Sequence, residues 1–153
     1  MDSEIRSMDI GRGKLLREGD ELAILAIGNR VWPAVEAAKE LEKEGVRAAV
    51  VNCRFVKPLD KELIVQTAQQ SNRLITVEEN VLQGGFGSAV LELLAEEGLT
   101  GIRVVRLGIG DQFIEHASQQ VQRSMCAIDT PAIVQAARAM VADHSVQKAA
   151  SEV

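Results

Sequence analysis

Residues 19–52 read GDELAILAIGNRVWPAVEAAKELEKEGVRAAVVN, and this stretch decides the fold. Leu22 to Ile27 is an almost wholly apolar run, which predicts a strand buried on both faces. Val31, Val35, Ala38 and Leu41 then recur at helical spacing and predict a helix over residues 31–44. Pro33 falls in its first turn, where a missing N–H costs least, and Gly45 ends it. Ala48 to Val51 is a second apolar strand. A strand, a helix and a strand in this order make a right-handed crossover between parallel strands.

The same alternation continues outward. Upstream, a short strand near Leu15 precedes Glu18-Gly19-Asp20, and so brief a connection predicts an antiparallel pairing of the first two strands at the sheet edge. Downstream, Asp60 is placed to cap a helix that buries Leu63, Ile64, Thr67 and Ala68. A strand at Leu74–Val77, a helix over residues 86–97 with Ala89, Val90, Leu93 and Leu94 inward, and a strand at Arg103–Leu107 follow. A weak helix over residues 119–125 and a final one opened by Thr130-Pro131 complete the chain, the last with Ile133, Val134, Ala137 and Met140 on one side. The fold class expected is α/β: a three-layer α/β/α domain on a mixed five-stranded sheet, four strands parallel and one an antiparallel edge strand. Residues 9–142 form the domain, flanked by flexible segments at 1–8 and 143–153.

Composition excludes several function classes. A net charge of -5 and a pI near 5.1 argue against nucleic acid and against anionic membrane surfaces. No apolar run reaches the roughly 18 residues of a membrane span, and the N-terminus lacks an apolar signal core, so a cytoplasmic protein is expected. Cys53 and Cys126 stand apart, without a CxxC pair or neighbouring histidines, and suit a reducing compartment.

In open α/β sheets ligands sit beyond the carboxyl ends of the strands. Those ends carry Gly28-Asn29-Arg30, Asn52 to Phe55, Glu78-Glu79-Asn80 and Gly108 to Asp111. Ordinary strand-to-helix turns use the same residue types. A dinucleotide fingerprint fails because Val90 and Phe113 stand where third glycines belong, and no G-K-[ST] is present. The glycine run at Gly84–Gly87 can still offer N–H groups to a carboxylate, from this chain or a partner. Glu78 and Glu79 are adjacent in extended chain, so they point to opposite faces and form no acid–base dyad. Capping or ion pairing is the plainer role for each. Gly28-Asn29-Arg30 also lacks the acidic pair of a receiver domain. His116 lies near Ser118, and Ser88 follows a glycine, but no G-x-S-x-G elbow frames either serine. A lone loop histidine is ordinarily a hydrogen-bonder. Arg54 and Lys57 form a small basic cluster, suited to an anion or an acidic partner surface. No constellation completes a catalytic machine.

Three stretches, RFVKPLDKELI from Arg54, TVEENVLQGGFGSAVLELL from Thr76 and RLGIGDQFIEHASQ from Arg106, resemble the C-terminal domain of the 1-deoxy-D-xylulose 5-phosphate synthase family, within the transketolase superfamily. IGRGKLLREGDELAILAIG, from Ile10, is similar to that domain's start, so the resemblance covers about residues 9–141. Gly110 and Ala117 depart from it, standing where the family usually has proline and glycine. The resemblance implies a transketolase C-terminal-like fold and a parent homodimeric transferase that joins pyruvate to glyceraldehyde 3-phosphate with thiamine diphosphate and Mg²⁺, feeding isoprenoid, thiamine and pyridoxal synthesis. The family's G-D-G metal–diphosphate motif is absent here, so no catalytic, cofactor-binding or metal residue carries over, and the chain by itself is expected to be inactive. It implies instead a docking edge of Arg54, Glu78, Glu79, Asn80, Gly84, Gly85, Phe86, Gly87 and His116, facing the preceding domains and the second subunit. The alternative is a free-standing small-molecule or nucleotide-binding module, which requires a deep pocket at Gly28, Glu78 and Gly108.

Overall fold

The computed structural model describes residues 7–151, with side chains described as far as 142. Most of the two segments expected to be flexible, 1–8 and 143–153, therefore lies outside the residues described at side-chain level, although helical backbone continues to Ser151. The elements are β1 (Lys14–Arg17), β2 (Leu22–Ala26), a 3-10 turn at Gly28–Arg30, α1 (Val31–Lys43), β3 (Ala48–Asn52), α2 (Lys61–Ser71), β4 (Arg73–Val81), α3 (Phe86–Glu96), β5 (Arg103–Ile109), α4 (Gln119–Met125) and α5 (Thr130–Ser151). The sheet runs β1-β3-β2-β4-β5, with β1 antiparallel to β3 and every other pair parallel.

The central strand shows why its sequence is apolar without interruption. Leu22, Ile24 and Ala26 point to one face, into a cluster with Ala34, Leu41, Ile133 and Met140 of α1 and α5. Ala23 and Leu25 point to the other, against Ile64, Phe86 and Val90 of α2 and α3. All five residues of β2 are fully buried, so no position along it is free to be polar.

One expectation needs correction. β1 pairs with β3, not with β2, whose two edges are taken by β3 and β4. Its antiparallel direction and its place at the edge stand. The error lay in treating a short connection as a hairpin. Residues 18–21 reach about 13 Å when extended, and stepping across one intervening strand needs only about 10 Å. The connection crosses the amino end of β3, where Glu21 N–H donates to Arg47 O at 3.2 Å.

β4 is also longer than the expected Leu74–Val77, continuing through Val81. Glu78-Glu79-Asn80 has no strand-like composition. Pairing with β5, resumed at Val81 opposite Ile109 after a register shift, holds it extended.

Asp60 does more than the cap expected of it. Its carboxylate accepts from Leu63 N at 3.2 Å, at the start of α2, and from Gly13 N at 2.9 Å, tying the N-terminal segment to that helix. Asp60 is buried. Asp60→Ala is expected to lower the unfolding free energy by about 2 kcal/mol, a lost cap plus one unsatisfied amide. Urea denaturation followed by circular dichroism measures it; a loss no greater than for an exposed cap would show that the Gly13 tie contributes nothing.

Candidate functional site

At the carboxyl end of β4 the chain closes on itself. Glu78 is completely buried, and its two carboxylate oxygens accept from Phe86 N at 2.6 Å and Gly87 N at 2.7 Å. These are among the free N–H groups that open α3, the partly positive end of the helix. The anion that the glycine run can hold is thus the protein's own. Gly85 is required by that arrangement: a Cβ there would lie 2.2 Å from Val81 O and 2.4 Å from Glu78 Oε2. The Ser88 hydroxyl completes the loop, donating to Leu82 O at 2.8 Å and accepting from Gly84 N and Arg106 Nη1, each at 3.0 Å.

Glu79 takes the opposite face, as alternation along a strand demands. Its Oε1 meets Arg30 Nη2 at 2.9 Å and Arg123 Nε at 2.7 Å. Arg30 is buried and also donates to Ile128 O at 3.1 Å. Burial lowers the pKa of its guanidinium, and the Glu79 charge opposes that. Sequence reasoning placed Arg30 at this edge without a partner and did not single out Arg123. Only the fold brings α4 over β4, and no spacing in the chain signals it.

The candidate docking residues therefore divide. Glu78, Gly85, Phe86 and Gly87 are buried and shape the loop from within. Asn80, Gly84 and His116 are exposed, while Arg54 and Glu79 are half-buried. Arg54 has a left-handed backbone (φ 57°), and its N–H donates to Asn52 Oδ1 at 3.1 Å. Ser88 is engaged in the loop and Ser118 caps α4 through Val121 N, so neither hydroxyl is paired with His116.

Two open hollows mark this edge. One of about 470 Å³ is lined by Val56, Asn80, Val81, Gly84, Phe86 and Ile109 among others. Another of about 300 Å³ lies between Glu79, Arg123, Ile109 and Ile128. Neither takes in Gly28, Glu78 or Gly108, the pocket a free-standing nucleotide-binding module requires. A larger hollow of about 680 Å³ lies at the opposite, amino end of the strands, beside Asp20, Arg47 and Gln70. Arg47 is already paired there with Asp20 at 2.8 Å. Among the described residues no three His, Cys, Asp or Glu side chains group as metal ligands.

Large apolar side chains stand uncovered at the carboxyl edge. Trp32 opens α1 after β2, Val56 follows β3, Val81 ends β4 and Phe113 follows β5. Trp32 is 72% exposed and Phe113 fully so. Exposed apolar residues thus follow or end each of the four parallel strands.

The family model of the transketolase C-terminal domain matches residues 11–133. A 1-deoxy-D-xylulose-5-phosphate synthase 1 of Geobacter sulfurreducens is 55% identical over 142 residues, 93% of this chain and 22% of that protein. A 1-deoxy-D-xylulose-5-phosphate synthase of Syntrophus aciditrophicus is 52% identical over 92% of this chain and 22% of its own length. The chain thus spans about a fifth of the curated relatives it matches. A split-gene transketolase, solved as an inactive beta4 tetramer, superposes with a TM-score of 0.82 at 37% identity, over 88% of this chain and 44% of that one. No helix among the described residues is long and apolar enough to cross a membrane. On these matches, the chain belongs to the transketolase C-terminal domain family, in the form found in 1-deoxy-D-xylulose-5-phosphate synthases.

Proposed function

We propose that this chain serves as the C-terminal docking domain of a 1-deoxy-D-xylulose-5-phosphate synthase, a cytoplasmic transferase condensing pyruvate with glyceraldehyde 3-phosphate. The observation that carries this reading is the exposed apolar edge of Trp32, Val56, Val81 and Phe113 beside a loop whose buried carboxylate, Glu78, is already satisfied by the start of α3. In this reading the edge packs against the preceding domains and the second subunit of a homodimer. The split-gene transketolase that superposes on this chain was itself solved as an inactive beta4 tetramer.

The parent reaction depends on thiamine diphosphate and Mg²⁺, and the residues here do not fit that group. Glu78 is consumed by α3, and Glu79 lies between two guanidiniums. Neither is left to ligate a metal–diphosphate headgroup, so the cofactor belongs to the rest of the enzyme. Calorimetric titration of thiamine diphosphate and Mg²⁺ into this chain is expected to give no binding heat, and saturable micromolar binding would overturn the assignment. In the whole enzyme, Phe113→Asp is expected to weaken subunit or domain association at least tenfold while leaving the melting temperature of the isolated chain unchanged. Sedimentation of the two forms measures the association, and equal association would remove Phe113 from the interface. A free-standing ligand-binding module is not favoured, because the hollows at this edge are open and avoid the residues it would use.

A further inference from the structure

We propose that residues 110–126, α4 and the loop leading into it, form a latch that the Arg123–Glu79 pair holds against the body of the domain beside the apolar hollow, and that the segment swings away as a unit when that pair is broken. This goes beyond the docking assignment and does not depend on it.

No residue of α4 is buried, and the half-buried Cys126 at its C-terminal cap packs against the core at the very end of the segment. The polar bonds of the segment are mostly internal: Gln122 Nε2 donates to Glu115 O at 3.0 Å, and Ser118 caps α4 through Val121 N at 3.4 Å. The side-chain tie to the body of the domain is Arg123 Nε to Glu79 Oε1 at 2.7 Å, and at the C-terminal end the buried Ile128 donates its N–H to Arg123 O at 3.0 Å. Beside the segment lies a hollow of about 300 Å³ whose apolar side is Ile109, Ile114, Cys126 and Ile128. The two ends of the segment suit a hinge. Gly110 has open space where a Cβ would stand, and Ala127 takes a left-handed conformation (φ 53°). The pair is also poised to repel when altered. Arg30 is fixed on the far side of Glu79 by Ile128 O, so without the Glu79 charge two guanidiniums face one another.

Cys126 reports the opening. It is half-buried against the hollow, whereas Cys53 is buried in the core and its thiol is pushed well up by burial. Alkylation of the native chain by iodoacetamide, followed by mass spectrometry, reads both cysteines in one sample. Arg123→Gln is expected to raise the Cys126 rate about fivefold, the value of a partly exposed ion pair, and Glu79→Gln to raise it further. Cys53 is expected to remain unmodified over the same period. Salt at about 1 M is expected to speed Cys126 alkylation in the wild-type chain but not in Arg123→Gln. Lys39→Gln, which removes the exposed Lys39–Glu36 pair on α1, is expected to leave the rate unchanged. An unchanged Cys126 rate in Arg123→Gln overturns the latch. So does a rise matched by Cys53, which would mean global unfolding. Should Glu79→Gln fail to fold, Arg123→Gln and the salt response decide the matter.

Discussion

Glu78→Ala is expected to lower the unfolding free energy by about 3–5 kcal/mol, enough to leave a marginal domain largely unfolded. The substitution removes the acceptor for two buried amides, those of Phe86 and Gly87, at 2.6 and 2.7 Å. Each buried donor left without a partner costs about 1–3 kcal/mol, and the space vacated beside Gly85 and Gly108 adds a cavity. Glu78→Gln keeps one acceptor but turns an NH₂ toward an N–H, so about 2 kcal/mol is expected. Far-UV circular dichroism in urea is the suitable probe, because Trp32 is largely exposed and its fluorescence will report unfolding poorly. A loss below about 1 kcal/mol for Glu78→Ala would mean that water replaces the carboxylate and that the loop does not depend on it.

Gly19→Ala is the second large effect, and it tests the topology itself. A Cβ at Gly19 would lie 2.3 Å from Ala49 N, 2.4 Å from Ala48 C and 2.8 Å from Arg47 O, all backbone atoms at the start of β3. No side chain can swing away to make room. Either β1 leaves its place beside β3 or the crossing lifts off the sheet, and a loss of about 3 kcal/mol or a failure to fold is expected. Gly101→Ala, with nothing within contact distance, serves as the control and is expected to change stability by less than about 0.5 kcal/mol. If the two variants were equally stable, the connection would not run against β3 as described.

Gly19 also shows what the sequence could and could not disclose. The layers were legible because β2 is apolar at every position and α1 repeats its apolar residues at helical spacing, signals that both faces of a sheet demand. The neighbour of β1 was not legible, since a four-residue connection is compatible with a hairpin or with a step across one strand. The opposite orientations of Glu78 and Glu79 followed from strand geometry alone, but their partners did not. One meets amides that follow it closely in the chain; the other meets guanidiniums from α4 and from the turn before α1, far apart in sequence. The proposed docking edge rests on the resemblance to the synthase domain and not on spacing, because ordinary turn residues and a few exposed apolar side chains have no motif of their own.

The most direct test of the docking role is reconstitution in trans. A 1-deoxy-D-xylulose-5-phosphate synthase truncated before this domain would be mixed with the purified chain at equal concentration and examined by sedimentation velocity. A discrete complex containing both chains, lost when Phe113→Asp is used, is the predicted result. Separate sedimentation of the two species at concentrations of tens of micromolar would contradict the account.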